Sequence, residues 1–235
     1  MTDQKPTLTE NEIAKLAHEA EVIEFSESGG MMDHFSIAYG GMIGIDFKPQ
    51  IKITRFNTVL DSFVLGNSEE KKQTTKILAD LKNVLVNISN TLTNSYKNFS
   101  LMKINLNDVD RFKKHLTADE YRLLNGTIRN RDITREAFKE LTNEETNKDR
   151  VGELLNEQQT ILRDILKVST PKIDRMINAV LNAGAYGAKI NGSGGGGCMF
   201  AYACENNEKV LEELKKIASE SFIVNIDTGV QKEFS

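Results

Sequence analysis

Residues 192–197 read Gly-Ser-Gly-Gly-Gly-Gly, five glycines in six positions. The runs on either side, Ala188-Lys189-Ile190-Asn191 and Cys198-Met199-Phe200-Ala201-Tyr202-Ala203, are apolar and strand-like. Glycine loses more conformational freedom on folding than any other residue and packs no side chain. A cluster of them is useful where the backbone needs positive φ, or where N–H groups must come close to an anion. Two readings follow: a binding loop between adjacent antiparallel strands, with at least one glycine at positive φ, or a plain hairpin tip. The segment lacks the Gly-Lys-Ser/Thr ending of a Walker loop. Gly192, Gly194 and Gly197 fit Gly-x-Gly-x-x-Gly, but a strand follows where a dinucleotide fold requires a helix.

The chain has 235 residues, enough for one large domain or two small ones, and its 39% hydrophobic and 27% charged content supports a real core. A net charge of −4 and the lack of a long basic run argue against nucleic acid as the main partner. The two cysteines, Cys198 and Cys204, form neither a disulfide framework nor a zinc spacing, which fits a reducing cytoplasm. No apolar stretch reaches the length of a membrane span, and the polar N-terminus does not read as a signal peptide.

After a loose lead-in over residues 1–8, a helix is expected to start at Thr9 with Glu12 closing a capping box. Ile13, Leu16, Ala17, Ala20 and Ile23 make its apolar stripe. A turn-rich loop, Ser26-Glu27-Ser28-Gly29-Gly30, leads to a short helix from Asp33 to Tyr39. Strands are expected at Met42–Phe47, Ile51–Phe56 and Phe63–Leu65. Helices follow from Glu69 to Tyr96 and at 108–115, 117–124, 132–142 and 149–166. Ser169-Thr170-Pro171 opens a further helix that runs to Asn182. Then come a strand, the glycine loop, a strand, a helix at 207–220 and a last strand from Phe222 to Asp227. The order predicts an α+β fold with helices on one face of a mainly antiparallel sheet.

Asp33, after two glycines and two methionines, reads either as a helix N-cap or as a carboxylate that accepts or orients a hydroxyl proton. His34 beside it has no partner that the sequence reveals. Glu21 reads either as part of a solvated helix face or as a magnesium ligand, since hard cations take carboxylate oxygens. The run Arg129-Asn130-Arg131-Asp132 reads as surface, and no Ser–His–Asp set or histidine metal cluster is visible.

The segment Ser28-Gly29-Gly30-Met31-Met32-Asp33-His34-Phe35-Ser36-Ile37-Ala38-Tyr39-Gly40 resembles the part of galactokinase-type GHMP kinases that carries their catalytic aspartate. Lys189-Ile190-Asn191-Gly192-Ser193-Gly194-Gly195-Gly196-Gly197-Cys198 resembles the third motif of that family. Phe63–Ser68 and Ser169–Asp174 sit where such kinases carry similar segments. The resemblance spans roughly residues 9–228 and implies an ATP-dependent, Mg2+-using kinase. Its substrate would be a small molecule, a sugar in the first instance or a mevalonate-like alcohol.

On that resemblance Asp33 is the catalytic carboxylate, and Gly30, Met32 and His34 face the substrate. Gly192, Ser193, Gly194, Gly195, Gly196 and Gly197 form the loop near the phosphates. Glu21 matches, within a one-residue gap, a helical magnesium ligand of mevalonate-type members. The implied fold is the remainder of an N-terminal α/β domain over residues 1–60, then a ferredoxin-like α+β C-terminal domain with added helices over 61–235. The family's substrate motif on an early strand and its Pro-x-x-x-Gly-Leu-Gly-Ser-Ser-Ala-Ala phosphate loop find no counterpart. The chain is thus expected to correspond to the C-terminal two-thirds of such a kinase and to need an N-terminal kinase fragment, or a second copy, as partner. The alternative is an inactive binding or oligomerisation module.

Overall fold

The computed structural model describes residues 8–26, 29–47, 49–58, 60–72 and 74–231. Residues 1–7 of the expected lead-in, and Glu27 and Ser28 of the turn-rich loop, lie outside the described residues. The chain divides into two compact units, one comprising Met1–Val59 and Asn225–Ser235, the other Leu60–Val224.

In the first unit helix α1 spans Glu10–His18 and starts on the expected capping box: Thr9 accepts from the Glu12 N–H while the Glu12 carboxylate accepts from Thr9. The chain then passes through a π-helical turn, Glu19–Ile23. This turn changes which face is covered. Ala14 packs with Phe35 and Ala38 of helix α2 (Met32–Tyr39), and Val22 is buried. Ile13 is half-buried against the same cluster, whereas Leu16, Ala17, Ala20 and Ile23 are exposed. The stripe expected to be the buried face is therefore largely an outer one: within α1 it is Ala14, not Leu16 or Ala17, that packs against α2, and the π-helical turn shifts the period only for Ala20 and Ile23. Strands β1 (Met42–Asp46) and β2 (Lys52–Phe56) pair antiparallel.

The second unit is built on a four-stranded antiparallel sheet of β3 (Phe63–Asn67), β4 (Gly187–Ile190), β5 (Cys198–Tyr202) and β6 (Glu220–Val224), in the order β4-β5-β3-β6. Val64, Ala188, Ile190, Met199 and Ala201 point into one core with helices α6 (Pro171–Asn182) and α7 (Asn207–Lys215), through Ile173, Met176, Val180, Val210 and Leu214. With α6 and α7 on that face, the strand order is that of the expected ferredoxin-like α+β fold.

The added helices between β3 and α6 are α3 (Thr74–Ser95), α4 (Ala118–Thr142) and α5 (Lys148–Asp164), with a 3-10 segment over Leu106–His115. Ile88, Leu92, Phe112, Leu124 and Ile128 close a second core among them. Helices expected separately at 117–124 and 132–142 form one continuous α4. Gly126 lies inside it, where a Cβ would come within 2.7 Å of Ile165 Cδ1, so this glycine serves helix packing and does not end the helix. The last strand begins earlier and ends earlier than expected, because its pairing is set by β3: Asn67 faces Glu220 and Phe63 faces Val224.

Helix α5 seals the outer edge of the sheet. Asn156 Oδ1 accepts from the Ala188 N–H at 3.0 Å, and Gln159 Oε1 accepts from the Ile190 N–H at 3.0 Å. Asn156 Nδ2 donates to the Tyr186 carbonyl at 3.1 Å. Two side chains of one helix thus replace a missing fifth strand and satisfy backbone groups that would otherwise be unpaired.

Candidate functional site

Asp33 sits in the first turn of α2. The N-cap is Met31, in helical conformation and without a side-chain cap, so Asp33 does not cap the helix. Its carboxylate is exposed and has no hydrogen-bond or ion-pair partner among the described residues. A carboxylate in this turn is favoured by the helix dipole but left free for a ligand. The far end of α2 is tied down by the C-terminal segment. Gly40 (φ 55°) ends the helix so close to that segment that a Cβ would stand 2.1 Å from the Gly229 nitrogen. Gly41 N–H donates to the Asp227 carbonyl at 2.6 Å, and Val230 N–H to the Ala38 carbonyl at 3.4 Å.

His34 has the partner that the sequence did not reveal. Its Nε2 lies 2.9 Å from Glu21 Oε2, and the His18 ring meets it edge-on with centroids 5.2 Å apart. The His34 side chain is 9% exposed, and its Nδ1 is buried without a partner among the described residues. Glu21 is exposed, with one carboxylate oxygen engaged by His34. Met32 and Gly30 are exposed, and a Cβ at Gly30 would meet nothing within 4 Å.

In the second unit the glycine loop joins the paired strands β4 and β5, and Gly192, Gly194, Gly195, Gly196 and Gly197 all have positive φ, from 68° to 130°. The close approach that requires glycine is to protein backbone. A Cβ at Gly194 would stand 2.5 Å from the Val168 carbonyl oxygen, and one at Gly196 would stand 2.4 Å from that of Glu70. Gly195 N–H donates to the Val168 carbonyl (2.6 Å) and Gly197 N–H to that of Glu70 (3.0 Å). The N–H groups of Gly192, Gly194 and Gly196 have no partner among the described residues. Sequence reasoning noticed Phe63–Ser68 and Ser169–Asp174 only as collinear segments. Folding carries Ser68 and the residues after it onto this loop, and brings Val168 and Thr170 beside them.

Lys189, just before the loop, is half-buried opposite Phe200 of β5, with Nζ 5.3 Å from the ring centroid and donating to the Ile190 carbonyl at 2.7 Å. Burial pushes its ammonium down from 10.5 to about 8. Between those values the unfolded chain holds the extra proton, so this residue makes the fold more stable as pH rises through that window. Below it the penalty is present in full. Lys189→Met is expected to raise stability at pH 7 by about 1–2 kcal/mol: the relief of desolvation outweighs the hydrogen bond to Ile190 and the attraction to the Phe200 ring, which the substitution removes. Urea unfolding of both proteins at pH 7 and pH 10 checks this; the gap between them should narrow at the higher pH.

The sheet order defines a ferredoxin-like domain in which the glycine loop joins the two strands β4 and β5. Residues 134–222 match the family model described as GHMP kinases C terminal. The chain is 28% identical over 208 residues to mevalonate kinase of Thermococcus sibiricus, covering 88% of this chain and 53% of that protein. A shorter stretch of 62 residues is 48% identical to mevalonate kinase of Thermococcus gammatolerans, covering 26% of this chain and 18% of that one. The fold is similar to that of Lactococcus lactis galactokinase complexed with galactose, with a TM-score of 0.76 and 17% identity over 95% of this chain and 61% of that chain. Residues 134–222 thus match the C-terminal domain of GHMP kinases, and the chain as a whole is similar to the C-terminal part of such kinases. It spans about half the length of the curated relatives that it matches most extensively. No helix among the described residues is long and apolar enough to cross a membrane.

Proposed function

We propose that this chain carries the catalytic-aspartate and glycine-loop part of an ATP-dependent kinase for a small alcohol. The observation that carries the reading is the unpartnered carboxylate of Asp33 in the first turn of α2. In the reaction the substrate oxygen bonds to the γ-phosphorus as the bond to the β–γ bridging oxygen breaks, and ADP leaves. Asp33 orients the substrate hydroxyl and accepts its proton. The unpaired N–H groups of Gly192, Gly194 and Gly196 are donors suited to phosphate oxygens.

Glu21 is the residue that would hold Mg2+. Among the described residues no group of three acidic, cysteine or histidine side chains is placed to hold a metal. A single exposed carboxylate with one oxygen uncommitted still fits, because Mg2+ keeps several waters and takes the rest of its ligands from the nucleotide phosphates. The bound ion would neutralise phosphate charge.

The Met32-Asp33-His34 segment favours a sugar as substrate, and Gly30, Met32 and His34 are its proposed contacts. Mevalonate is the second reading, favoured by the sequence relatives of that name. Exposed Leu16, Ile23, Phe25, Met32 and Ile37 in the first unit support a polypeptide partner that covers them and supplies the phosphate loop. Calorimetric titration with Mg-ATP and a coupled ADP-release assay on galactose and mevalonate test the proposal. The chain alone should bind weakly and turn over negligibly. Adding the first half of a mevalonate kinase relative should restore both. Micromolar binding and normal turnover by the chain alone would remove the need for a partner, and no turnover under any condition would return the inactive module.

A further inference from the structure

We infer that Ser68, held in place by Lys172, is a positioning residue for the glycine loop. The inference rests on the proposed phosphate role of that loop. Ser68 follows β3 and is 1% exposed. Its backbone N–H donates to the Gly197 carbonyl at 2.9 Å and its hydroxyl donates to the same oxygen at 2.7 Å. The hydroxyl also accepts from the Glu70 N–H at 3.2 Å, so both of its roles are used. The Gly197 N–H returns a bond to the Glu70 carbonyl, and the Glu70 carboxylate accepts from the Thr170 hydroxyl.

Lys172 completes the clamp. Its Nζ donates to the Ser68 carbonyl at 2.7 Å and to Ser219 Oγ at 3.2 Å. It forms no ion pair among the described residues. A charged donor spent on a neutral carbonyl is a strong, directional tie, and here it joins the end of β3, the start of α6 and the start of β6. Gly197, Gly195 and Asn191 are committed to protein backbone, the first of them through the Ser68 segment, while the three unpartnered loop N–H groups lie between these anchors. Donors that stabilise phosphate charge act best when fixed beforehand, since they then need no reorganisation as the ligand arrives.

Hydrogen exchange of the full chain, followed on peptides spanning 190–198 with and without millimolar sodium tripolyphosphate, tests the inference. In the parent chain the anion should slow exchange of the loop. Ser68→Ala should speed loop exchange by about tenfold, leave α4 unchanged and abolish the anion's effect. Ser68→Thr, which keeps the hydroxyl, should restore both. Lys172→Met should act in the same direction and serves if Ser68→Ala fails to fold. Unchanged loop exchange in both variants overturns the inference. So does faster exchange with the anion's protection intact, which would make the clamp a structural tie only and leave the loop's phosphate role standing. Absence of anion protection in the parent chain removes that role, and the positioning role with it.

Discussion

Asp33→Asn is expected to reduce phosphoryl transfer by about a hundredfold or more in the chain supplied with its proposed partner, with the fold retained. The substitution is nearly isosteric. It removes the negative charge and the proton-accepting oxygen. Because Met31 occupies the N-cap position, no cap is lost. Asp33 makes no hydrogen bond or ion pair among the described residues, so no structural partner is stranded either. What remains is its interaction with the helix dipole, about 0.3–1 kcal/mol, too little to unfold the unit. Coupled ADP release measures the rate, and circular dichroism with thermal melting measures the fold. Retention of more than about a tenth of the turnover would reject the base role. A large fall in melting temperature would make Asp33 a structural residue.

Gly152→Ala should be among the most destabilising single-atom additions to the second unit, although alanine favours a helix over glycine by about 1 kcal/mol. Gly152 lies within α5, where the helix meets the entrance of β4. A Cβ there would stand 2.3 Å from the Tyr186 carbonyl oxygen. Reciprocally, a Cβ at Gly187 would stand 2.3 Å from the Gly152 carbonyl oxygen. Both obstacles are backbone, so no side-chain rotation relieves them. The helix must move away from β4, and the bonds from Asn156 and Gln159 to the strand edge lengthen with it. We expect a net loss of about 3 kcal/mol or more, and a fall in melting temperature of roughly 6–12 °C. Gly30→Ala is the matching control: with nothing within 4 Å of its Cβ, it should change stability by less than about 0.5 kcal/mol. Equal effects of the two substitutions would show that α5 and β4 do not approach as closely as described.

The two glycines look alike in the sequence, and so do most features of the site. Asp33 could be read as a cap or as a functional carboxylate, and only the conformation of Met31 separates the two. His34 lacked a visible partner because Glu21 precedes it by thirteen residues and reaches it through a π-helical turn that no local pattern announces. The loop glycines were legible as a cluster needing positive φ. The atoms that exclude a side chain from Gly194 and Gly196 belong to Val168 and Glu70, far away in the chain.

Features that depend on neighbours within a turn or two of backbone are legible in the residues alone. They include the capping box at Thr9 and Glu12, the helix start at Thr170 and Pro171, the strands on either side of the glycines, and the α+β order. These follow from capping geometry and side-chain periodicity, which act over a few residues. Four features emerge only once distant segments pack together: which face of α1 is buried, the passage of α4 through Gly126, the closing of the β4 edge by α5, and the clamping of the loop by Ser68 and Lys172. Each of these joins segments distant in the chain, and its free energy appears only when folding brings them within hydrogen-bond or van der Waals reach.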